Sequence, residues 1–282
     1  MTLPLTAPRP RTVIRPLRSP LDVLVEGARA LLRYRSLVRA MTLTRLKVRY
    51  RQSLLGWLWA VLQPLALVAL YGAIFSHLAT SRPTPYALFV FAGVVPWAFC
   101  ATSISTAASG MLAHQHLIKQ VYFPREIIPL SFVAASLFDL LFAMGVLLAA
   151  ASYAGSTPSS WALLGTLPIL AILVLLVAAI CLLISALQIG IRDISVALPL
   201  VLQVLMFTAP VVYPATIVPA WLQEFYWLNP LALLIEAFRS AVLDAATPRV
   251  GDLVYCAGLA LVALTVSYLL FKRTETAFVD EA

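Results

Sequence analysis

The chain has 282 residues, of which 62% are hydrophobic and 11% charged, and its mean hydropathy is +0.94. A soluble domain carries about 25% charged residues, so the composition excludes a soluble globular protein and predicts a polytopic membrane protein. The net charge of +8 is concentrated, with 12 of the 20 Lys and Arg residues before Leu54, which reads as orientation and lipid contact and not as nucleic-acid binding.

Residues 1–18 are rich in Pro and Arg and hold no apolar run of the kind a cleaved leader needs. They predict a disordered basic arm. Ser19-Pro20-Leu21-Asp22 is a helix start, with a Ser cap, Pro at the first position and a carboxylate in the first turn. Leu21, Leu24, Val25, Ala28, Leu31 and Leu32 then recur at helical spacing, opposite Asp22, Glu26, Arg29 and Arg33. An amphipathic helix over 19–53, lying in the cytoplasmic interface, follows from this pattern; a packed soluble helix is the other reading, and the nearness of a span favours the first.

Arg45, Lys47, Arg49 and Arg51 form a dense basic block ending where an apolar run begins at Leu54. The cations are expected to stay with anionic headgroups and the cytoplasm while the apolar helix enters the hydrocarbon. Trp57 and Trp59 sit just past the boundary, where amphipathic rings prefer to lie. Hydropathy predicts six spans, at about 54–79, 86–111, 127–153, 163–189, 196–213 and 253–271, within a transmembrane domain over 54–273 and ahead of a tail at 274–282. Links on the N-terminal side of this layout hold 17 basic residues, and those on the other side only Arg82, Arg239 and Arg249. That asymmetry predicts both termini in the cytoplasm.

Two links are more than loops. Over 112–126, Leu117, Ile118, Val121 and Tyr122 recur at helical spacing before Pro124 breaks the segment and Arg125-Glu126 closes it. An amphipathic turn on the cytoplasmic side is either a docking surface for another protein or a helix resting on lipid. Residues 215–251, on the outer side, are apolar but broken by Pro219 and Pro230 and charged by Glu224, Glu236, Arg239 and Asp244. Two short re-entrant helices that dip into the outer half of the membrane fit this segment, and they form a candidate outer gate.

Enzymatic chemistry is not predicted. The chain has no phosphate-binding loop, no H-E-x-x-H and no G-x-S-x-G, and His77, His114 and His116 are not spaced as a metal-ligand set. Cys100, Cys181 and Cys256 all fall in apolar runs and read as small buried hydrophobes. Any uphill work must therefore draw on another chain or an ion gradient. Asp139 is the acidic residue near the centre of a span; a hydrogen-bonding group facing the bundle and a transport residue are its two readings. Tyr71, Phe75, Phe89, Phe91, Trp97 and Phe99 lie in the outer halves of the first two spans, as interfacial belt or as pore lining for the flat faces of sugars.

Five local patterns, in order, resemble one family. They are Tyr50-Arg51-Gln52-Ser53 with Leu55-Gly56-Trp57-Leu58-Trp59 and Gln63-Pro64; Tyr122-Phe123-Pro124-Arg125-Glu126; Arg192-Asp193-Ile194; Pro210-Val211-Val212-Tyr213-Pro214; and Leu228-Asn229-Pro230-Leu231 with Phe238-Arg239. Together, over about 21–273, they resemble permeases of polysaccharide-exporting ABC transporters for O-antigen, capsule and teichoic acid. The resemblance implies a homodimer in the bacterial inner membrane, working with two ATP-binding cassette subunits that hold ATP and Mg, while this chain binds no cofactor and is not itself an enzyme. It further implies a polyprenyl-pyrophosphate-linked glycan as cargo. On the matching residues it implies coupling to the ATPase at Lys119, Gln120, Tyr122, Phe123, Pro124, Arg125, Glu126, Arg192 and Asp193, and an outer gate at Pro210, Tyr213, Pro214, Asn229, Pro230 and Arg239. Arg45, Lys47, Arg49 and Arg51 are placed to meet the carrier's pyrophosphate, and the aromatics named above, with Trp57 and Trp59, are candidates for the channel wall. A permease of the same fold for a small lipid, drug or antibiotic is the alternative.

Overall fold

The computed structural model describes residues 20–51, 56–75, 86–114, 120, 123–155, 160–191, 193–214, 218, 219, 223, 226–243 and 248–274. Among them every regular element is helical, as an apolar chain in hydrocarbon requires when its backbone groups must be satisfied within each segment. The expected arm at 1–18 and the tail beyond Thr274 lie outside the described residues.

The segment expected as one helix over 19–53 divides at Tyr34 into α1 (Pro20–Arg33) and α2 (Arg35–Arg51). The Tyr34 amide still donates to Ala30 O at 2.9 Å, so the division is a kink and not an end. The two parts follow different partners. A Cβ on Gly27 of α1 would collide with the ring of Tyr268, so glycine allows α1 to lie against the last helix. α2 instead follows α5 (Ile127–Tyr153). Arg45 lies over Phe132, Leu46 packs on Ala135 and Arg49 reaches Asp139. Partners on both helices advance together, so α2 ascends alongside α5 in the same direction and does not lie flat.

Gly56 then takes φ 48°, a left-handed conformation that glycine adopts without steric cost, in the turn Gly56–Leu58. α3 (Trp59–Phe75) follows. Among the described residues, four helices are long and apolar enough to cross a membrane: α4 (Tyr86–Ala113), α5, α6 (Ser160–Gly190) and α9 (Val250–Thr274). A crossing takes about 20 residues. α3, with 17 residues, and α7 (Ile194–Thr208), with 15, fall short of that over the described residues. α7 stops where Ala209 turns extended ahead of Pro210. α8 (Pro230–Leu243) completes the set, and is buried over most of its 14 residues.

One cluster fixes how the long helices alternate. Met111 from the end of α4, Ile127 and Ile128 from the start of α5, Leu182 and Ala186 from the end of α6, and Tyr268 and Phe271 from the end of α9 share a core. Leu31, Tyr34, Leu37, Val38 and Met41 of α1 and α2 pack against it. The N-terminal helices and the basic end of α9 are thus on one side, the arrangement that the charge asymmetry predicts for these four helices. Lys272 and Arg273 close α9 where its dipole favours cations.

Candidate functional site

Three places gather the residues that the sequence singles out. The first is a cavity of about 770 Å³ between α3, α4 and α5, with Arg49 of α2 at its edge. Its walls are Trp59, Leu62, Ala66 and Leu70 of α3, Val95, Trp97 and Phe99 of α4, and Leu140 and Ala143 of α5, with Gln63, Thr102 and Ser136 as the uncharged polar groups. Arg49 Nη1 donates to Asp139 Oδ2 at 2.7 Å, and both side chains remain accessible, at 39% and 19%. Asp139 stands twelve residues into α5, about 18 Å along its axis at 1.5 Å per residue. A cation from the basic block therefore reaches well into the span and meets the lone acidic group there.

Arg45 lies one turn below. Its Cζ is 3.0 Å from the centroid of the Phe132 ring, and its guanidinium nitrogens are buried with no hydrogen-bond partner among the described residues. Gly110 makes room for that ring, since a Cβ there would strike it. Burial lowers the Arg45 guanidinium from its ordinary 12.5 to about 10, so it stays protonated at neutral pH. Lys47 is exposed, and the side chain of Arg51 lies outside the described residues.

Of the aromatics expected along a channel, Trp59, Trp97 and Phe99 line this cavity. Phe89 and Phe91 are buried with Trp97 and Phe99 in the helix-packing core but do not reach the cavity, and the side chains of Trp57, Tyr71 and Phe75 lie outside the described residues.

The second place is the end that carries α1 and α2. Glu126 precedes α5 as its cap residue, yet its carboxylate makes no capping bond and turns to α9. Tyr268 Oη donates to its Oε1 at 3.0 Å and Lys272 Nζ to its Oε2 at 2.8 Å, and Glu126 is 1% exposed. Phe123 is buried beside it, Pro124 and Arg125 are half-buried, and Gln120 and Asp193 are exposed. Lys119, Tyr122 and Arg192 lie outside the described residues.

The third place is the opposite end. Arg239 of α8 is 2% exposed. Its Nε donates to Phe89 O at 3.2 Å, its Nη2 to Pro210 O and to Val211 O (3.0 Å for the latter), and its Nη1 to Glu236 Oε2 at 2.6 Å. The guanidinium also stacks 3.8 Å over the Phe89 ring. The segment after α7 is thereby tied to α4 and α8 at once. Gly93 of α4 permits the approach, because a Cβ there would meet both the Val211 carbonyl and the Arg239 guanidinium. Tyr86 Oη donates to Val212 O, and Tyr213 Oη to Phe207 O. Pro214 is half-buried. Asn229 Oδ1 caps α8 by accepting from Leu231 N at 3.0 Å, with Pro230 at the first helical position.

Sequence reasoning named Arg239 and Glu126 but not what they hold, and it passed over Gly93, Gly27, Tyr268 and Lys272. A cation in an apolar stretch was the available signal for Arg239; the glycines left none, since a glycine in an apolar run is ordinary in membrane helices.

Against known families, residues 36–243 match the model of the ABC-2 type transporter family. The chain belongs to that family. This ABC-2 type transporter subunit is similar to two O-antigen export system permease proteins RfbA of Klebsiella pneumoniae. One is 28% identical over 83% of this chain and 90% of its own length, and the other is 31% identical over 71% and 77%. It is also 26% identical to the polysialic acid transport protein KpsM of Escherichia coli, over 85% of this chain and 94% of that one. The family match spans α2 to α8 and so takes in the Arg49–Asp139 cavity, Glu126 and Arg239, while α1 and α9 fall outside it.

Proposed function

We propose that this transporter subunit is the permease of an ATP-driven exporter that moves lipid-linked polysaccharide, of O-antigen, capsule or teichoic acid type, out of the cytoplasm across the inner membrane. The observation that carries the reading is the near full-length similarity to permeases and transport proteins named for O-antigen and polysialic acid, within the ABC-2 family. In this reading the chain spans the membrane six times, with both termini in the cytoplasm, and two copies form the passage. Two separate ATP-binding cassette subunits hold ATP and Mg and dock near Phe123–Glu126 and Asp193. The chain supplies no catalytic group. The short buried α8 and the segment fastened by Arg239 form the outer gate, as re-entrant elements held within protein at membrane depth. Leu32 of α1, exposed beside the cytoplasmic cluster, faces lipid.

Deleting the gene from its host should abolish surface polysaccharide and leave lipid-linked polymer inside the cell, and a plasmid copy should restore export. Polymer extraction from the outer surface and from the inner membrane reads both effects. Unchanged surface polymer, together with lost tolerance to an antibiotic or small lipid, would favour the alternative cargo of the same fold.

A further inference from the structure

The Arg49–Asp139 pair stands in an apolar cavity and is not sealed from it. Charges at this depth are costly unless paired, so Arg49 requires an anion beside it at all times. A paired arginine in a protein core normally has its partner fixed by packing on every side. Here both groups are open to a space of about 770 Å³, large enough for a drug-sized molecule. The guanidinium fork fits phosphate oxygens as well as a carboxylate, and it binds either in bidentate fashion. Apart from Gln63, Thr102 and Ser136, the rest of the wall is aromatic and aliphatic, suited to a chain and not to a free ion. Ser136, three residues before Asp139 on α5, lines the same cavity and offers a hydroxyl to a carboxylate that has lost its arginine. Arg45, one turn earlier on α2, extends positive charge toward the end that carries α1.

We propose that this cavity binds the phosphate-bearing end of an amphiphile, and that Asp139 is the resident anion which the phosphate displaces from Arg49. Asp139 thus holds the arginine in place while the cavity is empty and competes with the ligand when it arrives. The proposal rests on the reading of the chain as a permease for a phosphate-linked lipid cargo, but it is tested by binding alone, so its failure leaves the gene-deletion result standing.

The test uses the full chain in phosphatidylcholine nanodiscs, which supply no anionic lipid, and measures equilibrium binding of radiolabelled farnesyl diphosphate. If Asp139 occupies Arg49 for about 90% of the time, removing its charge relieves a tenfold penalty on apparent affinity. Asp139→Asn should therefore bind about tenfold tighter than the native chain, Arg49→Gln about tenfold weaker or worse, and the double variant as weakly as Arg49→Gln. Farnesol and inorganic pyrophosphate should each bind at least about tenfold weaker than farnesyl diphosphate, since one lacks the anion and the other the chain. If Asp139→Asn does not accumulate, Asp139→Ser serves in its place. A neutral variant that binds no tighter than the native chain would overturn the competition. Farnesol or pyrophosphate matching farnesyl diphosphate would overturn the assignment of ligand.

Discussion

Arg239→Leu should leave little of the protein folded in the membrane. The substitution removes the donor to the carbonyls of Phe89, Pro210 and Val211 and strips Glu236 of its cation. Each buried acceptor left without a partner costs about 1–3 kcal/mol, and Glu236, whose side chain is 35% exposed, adds less because water can reach it. A domain has only about 5–15 kcal/mol in total, so loss of this one side chain consumes much of the margin. Thermal unfolding in detergent and the steady-state level in membranes measure the effect. Arg239→Lys should fall between, because a single ammonium cannot reach carbonyls on α4 and after α7 in the same fork or stack on Phe89. Gly93→Ala should resemble the leucine variant, as its added carbon displaces the same carbonyl and guanidinium. A leucine variant with native melting temperature would show that the outer segment is held by something other than Arg239.

Glu126→Ala should separate ATP hydrolysis from export. The carboxylate joins the start of α5 to Tyr268 and Lys272 at the end of α9, and Tyr268 in turn packs against Gly27 of α1. A push delivered at Phe123–Arg125 by the proposed ATPase partner would reach α9 and α1 through this contact. The variant loses two hydrogen bonds to the carboxylate, each worth about 1.5–3 kcal/mol, so its level in the membrane is measured beside its transport. A coupling energy of about 1–3 kcal/mol between two sites is a factor of about 5–150. Export per ATP hydrolysed should fall within that range, while assembly with the ATPase persists. Tyr268→Phe should show a smaller effect, since Lys272 still binds the carboxylate. Parallel loss of hydrolysis and export, or no change in their ratio, would place the coupling elsewhere.

The alternation of the long helices was legible before the structure, because hydropathy and the crowding of cations on one side are properties of local stretches. So was the helix start at Pro20, while Arg239 and Glu126 were singled out by the charge they carry in their links and by the family resemblance, without their partners. The course of α2 was not. Arg45, Lys47, Arg49 and Arg51 read as headgroup cations, yet α2 ascends along α5 and pairs Arg49 with a residue 90 positions away. No periodicity within a helix encodes such a partner. Asp139 carried half of that information as an acidic group alone in a span, and the other half lay in the basic block. The burial of Phe89 and Phe91 in the core was not legible for a similar reason: an aromatic on a span looks the same in sequence whether it faces a passage, lipid or a guanidinium. Gly93 and Gly27 matter only through what approaches them from other helices.

The central claim is that this chain conducts cargo only when driven by a separate ATPase. Its most direct measurement is transport of a polyprenyl-diphosphate-linked glycan across vesicles holding the purified chain, with and without the ATPase subunit and ATP. Movement of the glycan should require both, and should stop when a non-hydrolysable nucleotide replaces ATP. Equal transport by the chain alone would contradict the account.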